Sequence, residues 1–203
     1  MNLRLSLLAA LYLAAGLLLC QGQAAGTASL DAARDAGTAH ARSDLPLASI
    51  ESHFSSDTNA SVYILQALRA ATGTIHVAMF SFTSKPLAAE LTNAAARRVD
   101  VRVVADRSQA AGGGSCVPWL LQVLGTNHVQ LSGGRTKVGI MHHKFCIIDG
   151  ASEWSGVVIA GSYNWTGRAE HDNWEDFALL RGNGIAARWE VEFGKLQQQK
   201  GSK

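Results

Sequence analysis

His142 and Lys144 stand two residues apart in the segment His142-His143-Lys144-Phe145-Cys146-Ile147-Ile148-Asp149, which reads H-x-K-x4-D. On a β-strand, side chains two apart share a face, so the imidazole and the ammonium project together while Phe145, Ile147 and Ile148 serve the core. That pairing suits phosphoryl chemistry. A neutral imidazole nitrogen can attack phosphorus, and a fixed ammonium can hold the non-bridging oxygens as negative charge shifts onto them. His143 falls on the opposite face and reads as structural. By itself an H-x-K on a strand is equally compatible with a surface pair that has no role.

A second polar cluster follows, Gly161-Ser162-Tyr163-Asn164-Trp165-Thr166, directly after an apolar strand candidate. The Ser162 hydroxyl and the Asn164 carboxamide can both donate hydrogen bonds to a phosphate, although Gly, Ser and Asn also populate ordinary turns for backbone reasons. Tyr163 and Trp165 are aromatics that can stack on bases or pack inside. The chain has no compact carboxylate cluster of the kind a two-metal nuclease needs, and neither Cys116 nor Cys146 sits in a zinc-ligand spacing. No metal or other cofactor is expected.

Taken in order, H-x-K-x4-D, then G-S-x-N-W-T, then Asn173-Trp174-Glu175-Asp176 resembles the single-motif branch of the phospholipase D superfamily, typified by small bacterial endonucleases. Upstream, Phe80-Ser81-Phe82-Thr83-Ser84 and the segment 99–106 are similar to further motifs of that branch, so the resemblance runs from about residue 50 to residue 180. It implies an α/β fold with a mixed β-sheet flanked by helices on both faces, in one domain. It also implies a homodimer, because the family reaction needs two motifs and this chain carries one. On that scheme His142 of one protomer forms a phosphohistidine, and His142 of the other protonates the leaving oxygen and then activates water. Lys144 and Asn164, helped by Ser162, would bind the phosphoryl oxygens. Glu175 matches the carboxylate that bonds the far nitrogen of the histidine and fixes its tautomer. Asp149 completes the motif, either as a catalytic residue or as a structural salt-bridge or turn residue.

The elements that must hold these groups are visible as hydrophobic periodicity. Strand-like runs at 50–54, 74–82 and 100–106 alternate with helical patterns, one carrying Ile64, Leu65 and Leu68, the next entered at Ser84 with Pro86 in its first turn. A short helix over 117–124 and a strand at 128–131 follow. Strand candidates at 141–149, 156–160 and 176–180 and a last helix over 185–199 complete a succession that argues for an α/β layer architecture.

The 203 residues carry a formal net charge of only +2, so no global field announces a partner, and length favours one domain. Residues 1–24 have the layout of a secretory signal peptide, with Arg4, an apolar run and then small residues, and 25–46 read as a flexible lead-in. The phosphodiesterase domain is then expected over 47–200. The chain is expected to be exported, to the periplasm or beyond, with no stable membrane span after cleavage; an uncleaved anchor is the other reading of the N-terminus. Cys116 and Cys146 are either a disulfide or two buried apolar residues. The other five histidines read as surface or core residues. Between Arg97 and Lys144 the charge is locally basic: Arg97, Arg98, Arg102, Arg107, Arg135 and Lys137 face only Asp100 and Asp106. Arg135 and Lys137, just before the H-x-K, are placed where a polyanion can pass. Nucleic acid without base specificity is the expected substrate. Phospholipid, cardiolipin included, is the alternative, and a non-catalytic nucleic-acid-binding protein of the same fold is the second.

Overall fold

The structure is a computed structural model that describes residues 47–56, 59–152, 156–182 and 184–199. The signal peptide and lead-in expected before residue 47 lie outside the described residues, as do Cys20 and His40. Seven strands form one sheet: β1 (Leu47–Phe54), β2 (Thr74–Met79), β3 (Asp100–Asp106), β4 (Val129–Ser132), β5 (Lys144–Ile148), β6 (Val157–Gly161) and β7 (Asp176–Gly182). Their order is β1-β7-β6-β5-β2-β3-β4. β2, β3 and β4 run parallel, and every other pairing is antiparallel, so the sheet is mixed, as expected.

The longer helices are α1 (Ser61–Ala70), α2 (Lys85–Ala96), α4 (Val117–Leu124) and α6 (Ile185–Gln198); α3 (Arg107–Ala110) and α5 (Gly167–His171) are single turns. Crossovers between parallel strands must pass over a face of the sheet, which is where α2 and α4 lie. On that face Ile64 and Leu68 of α1, Leu87 and Leu91 of α2 and Leu120 of α4 bury against Val77, Val101, Val103, Cys146, Ile159 and Phe177. The opposite face is covered by α6, whose Ala186, Phe193 and Leu196 pack on Ala78, Val104, Phe145, Ile147 and Val158. Strands buried on both faces read as continuous apolar runs, which is the pattern of β2, β3 and β5.

Two boundaries differ from the sequence reading. β2 stops at Met79, and Phe82 instead forms an isolated bridge with Trp165. β5 starts at Lys144, because the chain before it is held by tertiary bonds to other parts of the fold. Ser84 does occupy the N-cap of α2 with Pro86 in the first turn, but its hydroxyl makes no capping bond.

Candidate functional site

His142 lies in the two residues that lead into β5, and three contacts fix it. The buried carboxylate of Asp106, at the end of β3, accepts from the Met141 amide at 2.9 Å while its other oxygen caps α3 through Ser108 and Gln109. The Phe80 amide donates to the His143 carbonyl at 2.8 Å. The Phe80 ring then lies 4.5 Å from the His142 ring, tilted by 59°. Neither Asp106 nor Phe80 was assigned a part in the site from sequence, since both act through pairings between distant segments.

Lys144 reaches back along the strand. Its Nζ is 3.3 Å from each ring nitrogen of His142, 2.9 Å from the His142 carbonyl oxygen and 5.1 Å from the Phe80 ring centroid. Burial pulls the Lys144 pKa below its usual range, and the nearby Glu175 charge opposes that shift. An imidazole and an ammonium in this contact can attack a phosphorus and hold its oxygens from one side. His143 turns to the other face, edge-on to Phe145, with Nε2 3.8 Å from Glu192 of α6.

The turn after β6 brings the polar residues alongside. Gly161 is required there: a Cβ would fall 2.2 Å from the Asp176 carbonyl oxygen, so only glycine lets β6 end this close to β7. The Asn164 carboxamide accepts from the Ser81 amide at 3.2 Å through Oδ1, which leaves its NH2 group as the donor end. Ser162 donates to Glu175 at 2.5 Å and accepts from the Asp176 amide at 3.0 Å. Its proton is therefore committed to the carboxylate. The second Glu175 oxygen accepts from Asn173 at 3.0 Å. This corrects the expected Glu175–His142 bond: within this chain the carboxylate is engaged by Ser162 and Asn173, and it acts on Lys144 through its charge.

Of the two readings left open for Asp149, the structure favours the structural one over the catalytic one. The residue sits at the far end of β5, about 17 Å from Lys144 at the usual rise per strand residue, and it accepts from the Thr72, Gly73 and Thr74 amides and the Thr72 hydroxyl. It ties the strand to the α1–β2 turn and touches nothing at the site. Tyr163 and Trp165 are buried, Tyr163 bonded to Glu170 and Trp165 edge-on to Phe82, so neither offers a face to a base. Cys116 and Cys146 are free, buried thiols, with burial pushing both pKa values up. Of the local basic excess, Arg97 is paired with Glu90 and Arg102 with Asp100.

Arg135 does reach the site. It lines a cleft of about 610 Å³ whose wall also includes Ile140, His142 and His143 and, from α6, Glu192 and Lys195. Lys137 is exposed on the same loop and does not line the cleft. The α6 side of this cleft was not assigned from sequence, which gave the last helix no part in the site. Val138 is 94% exposed on the loop, and Trp174, next to Glu175, is 88% exposed.

A histidine–lysine pair at the head of a central strand, with an asparagine carboxamide in the turn after the neighbouring strand, is the arrangement expected of a phosphodiesterase site with one motif per chain. The comparisons agree. The family model "Cardiolipin synthase, PLD-like domain" matches residues 64–197. Mitochondrial cardiolipin hydrolase of Xenopus laevis is 32% identical over 137 residues, covering 67% of this chain and 60% of the relative. Its Drosophila melanogaster counterpart is 28% identical over 148 residues, 66% of this chain and 56% of the relative, so the chain spans under two thirds of the length of these relatives. Among solved structures, the phospholipase D family member Nuc from Salmonella typhimurium superposes with a TM-score of 0.63 at 25% identity, covering 74% of this chain and 95% of that one. NucT from Helicobacter pylori shares the fold, with a TM-score of 0.62 at 19% identity over 74% of this chain and 97% of that one. The chain belongs to the phospholipase D superfamily, and with one H-x-K-x4-D motif it falls in the single-motif branch.

Proposed function

We propose that the protein is a homodimeric, non-specific nuclease that cleaves phosphodiesters through a phosphohistidine on His142 without a metal ion. The observation that supports this reading is the contact of Lys144 with the His142 ring at 3.3 Å, close enough for a nucleophile and a cation to serve one phosphate. The His142 lone pair bonds to phosphorus as the bond to the leaving oxygen breaks, and that oxygen takes a proton from the imidazolium of His142 of the partner subunit. Water then attacks, gives its proton to the same partner imidazole, and the phosphorus–nitrogen bond breaks to return His142. Lys144 and the Asn164 NH2 group hold the non-bridging oxygens, and Ser162 keeps Glu175 oriented towards Lys144. Arg135 in the cleft and the 25% identity to Nuc favour nucleic acid as substrate.

A phospholipid substrate is the second reading. It is favoured by the exposed Val138 and Ile140 on the loop that carries Arg135 and Lys137, a mixture of apolar and basic side chains suited to an anionic membrane surface. Plasmid DNA, single-stranded RNA and cardiolipin-containing vesicles, each incubated with the protein in excess EDTA, separate the readings. Turnover of nucleic acid, with label on His142 that survives alkali and is released by acid, and that is absent when His142 is replaced, is the expected result. Activity that vanishes in EDTA and returns with magnesium, or label on a serine, overturns the mechanism. Export is proposed with it, and mass spectrometry of the mature N-terminus tests that point.

A further inference from the structure

Arg135 and Lys195 approach the cleft from opposite walls, one on the loop that precedes the H-x-K and one on α6. Arg135 has no hydrogen-bonded partner among the described residues and acts on Glu192 only through space. Lys195 is bonded to Glu192 at 2.8 Å yet remains 65% exposed. Among these three the cleft holds two cations against one carboxylate. That excess is next to a residue, His142, at which a first phosphate is already to be placed. A phosphodiester carries one negative charge, and a guanidinium and an ammonium within one concavity are the side chains that recognise it.

We propose that this cleft is a second phosphate subsite, so that the enzyme reads a pair of phosphodiesters: the one cleaved at His142 and its neighbour, held by Arg135 and Lys195. The inference rests on the phosphodiesterase reading of His142 and adds the substrate feature that reading leaves open. In a polynucleotide, successive phosphates are joined through three sugar carbons and their two ester oxygens. In cardiolipin the two phosphates are joined through the three carbons of the central glycerol and two ester oxygens. The bridge has the same number of atoms. A subsite that measures this separation serves either molecule, which accounts for one chain being similar both to Nuc and to cardiolipin hydrolases. The apolar wall at Ile140 then meets whatever the bridge carries.

Two matched pairs of substrates test this with the full chain. The first pair is the p-nitrophenyl ester of thymidine 5′-phosphate with a free 3′-hydroxyl or with a 3′-methyl phosphate. The second is phosphatidylglycerol or cardiolipin in phosphatidylcholine vesicles. Within each pair the second member carries one more phosphodiester. The wild-type protein is expected to favour the two-phosphate member by about tenfold in kcat/KM, the effect of one charge-assisted hydrogen bond. A preference in the nucleotide pair identifies a polynucleotide, and one in the lipid pair identifies cardiolipin. Arg135→Ala and Lys195→Ala should each bring the ratio towards one, and Glu192→Gln should raise it by removing the opposing charge. Ratios near one for the wild-type protein in both pairs, or a preference that both alanine variants keep, overturn the subsite. Absence of turnover on all four substrates counts instead against the phosphodiesterase reading. Calorimetry with thymidine 3′,5′-bisphosphate against thymidine 5′-phosphate then carries the same comparison, and equal affinities overturn the subsite.

Discussion

Replacing Asp149 should damage the fold and spare the chemistry. The carboxylate accepts from three backbone amides, at 3.1 Å from Thr72, 2.6 Å from Gly73 and 3.0 Å from Thr74, and from the Thr72 hydroxyl at 3.1 Å. The group is partly solvated, so water takes over some of these bonds when it is removed, and a net loss of about 1 kcal/mol per backbone donor is the appropriate scale. Asp149 also has a φ of 51°, a left-handed conformation that aspartate tolerates and alanine resists by about 1 kcal/mol. Asp149→Ala should therefore cost about 4 kcal/mol, Asp149→Gly about 3 because the strain is absent, and Asp149→Asn less because one acceptor oxygen remains. In a domain of this size the alanine variant should melt roughly 10 °C lower.

The pH dependence has a definite sign. Burial raises the carboxyl pKa, but the amides of Thr74, Gly73 and Thr72 outweigh it and hold the value below the usual range. A carboxyl depressed in the folded state contributes stability above the unfolded value of about 3.9, and that contribution is lost as pH falls through the folded value. Urea melts of wild type and Asp149→Gly at several pH values should thus differ fully near neutrality and converge in acid. Measured per folded molecule, kcat should stay within about twofold, since no step of the reaction involves this side chain. A variant of unchanged stability that has lost kcat would refute the assignment.

Three further outcomes follow from the site. The ammonium form of Lys144 holds the phosphate, so kcat/KM should fall on the alkaline side below the usual lysine value of 10.5, and Glu175→Gln, which removes the charge that supports the ammonium, should move that fall to lower pH; a pH–rate profile unaltered by the substitution contradicts the coupling. Asp106→Asn should lower kcat by about a hundredfold with a smaller change in KM, because the Met141 amide then loses the acceptor that sets the His142 backbone, and a KM effect alone would deny it a positioning role. If wild-type and His142→Ala chains are refolded together in equal amounts, the proposed shared site predicts about one quarter of the wild-type activity per chain, whereas independent sites predict about one half.

Most of the framework was legible because its signals are local. The 3.6-residue periodicity of Ile64, Leu65 and Leu68 and the apolar run of Val101, Val103 and Val104 each report which side of an element is buried, and the observed elements follow them. The meeting of His142 with Lys144 was legible for the same reason, two residues along one extended segment. What the chain order concealed was made by distant partners. β5 begins late because Asp106 and Phe80 capture Met141 and His143. Tyr163 and Trp165 stand in a turn of polar composition, yet that turn folds onto Phe177 and Phe82 and buries them. Glu175 has two competing donors, Ser162 and Asn173, which no spacing rule ranks against a histidine. Lys195 belongs to the cleft only because α6 crosses the face of the sheet on which the loop before β5 also opens.

The sheet places β1 at its edge, paired with β7 alone, so that Leu47 lies opposite Gly182. Leu47 precedes Gly182 by 135 residues, so during synthesis β1 has no strand to dock on until β7 has been made. The central pairing of β2 with β5 spans about half that stretch, with Ile75 beside Ile148, and contacts this far apart in sequence form slowly. Ser81, Lys144, Asn164 and Glu175 come from four stretches of chain that this closure alone gathers. A polypeptide made only as far as the histidine therefore holds none of the assembled site, whose polar groups meet only once β6 and β7 have paired beside β5.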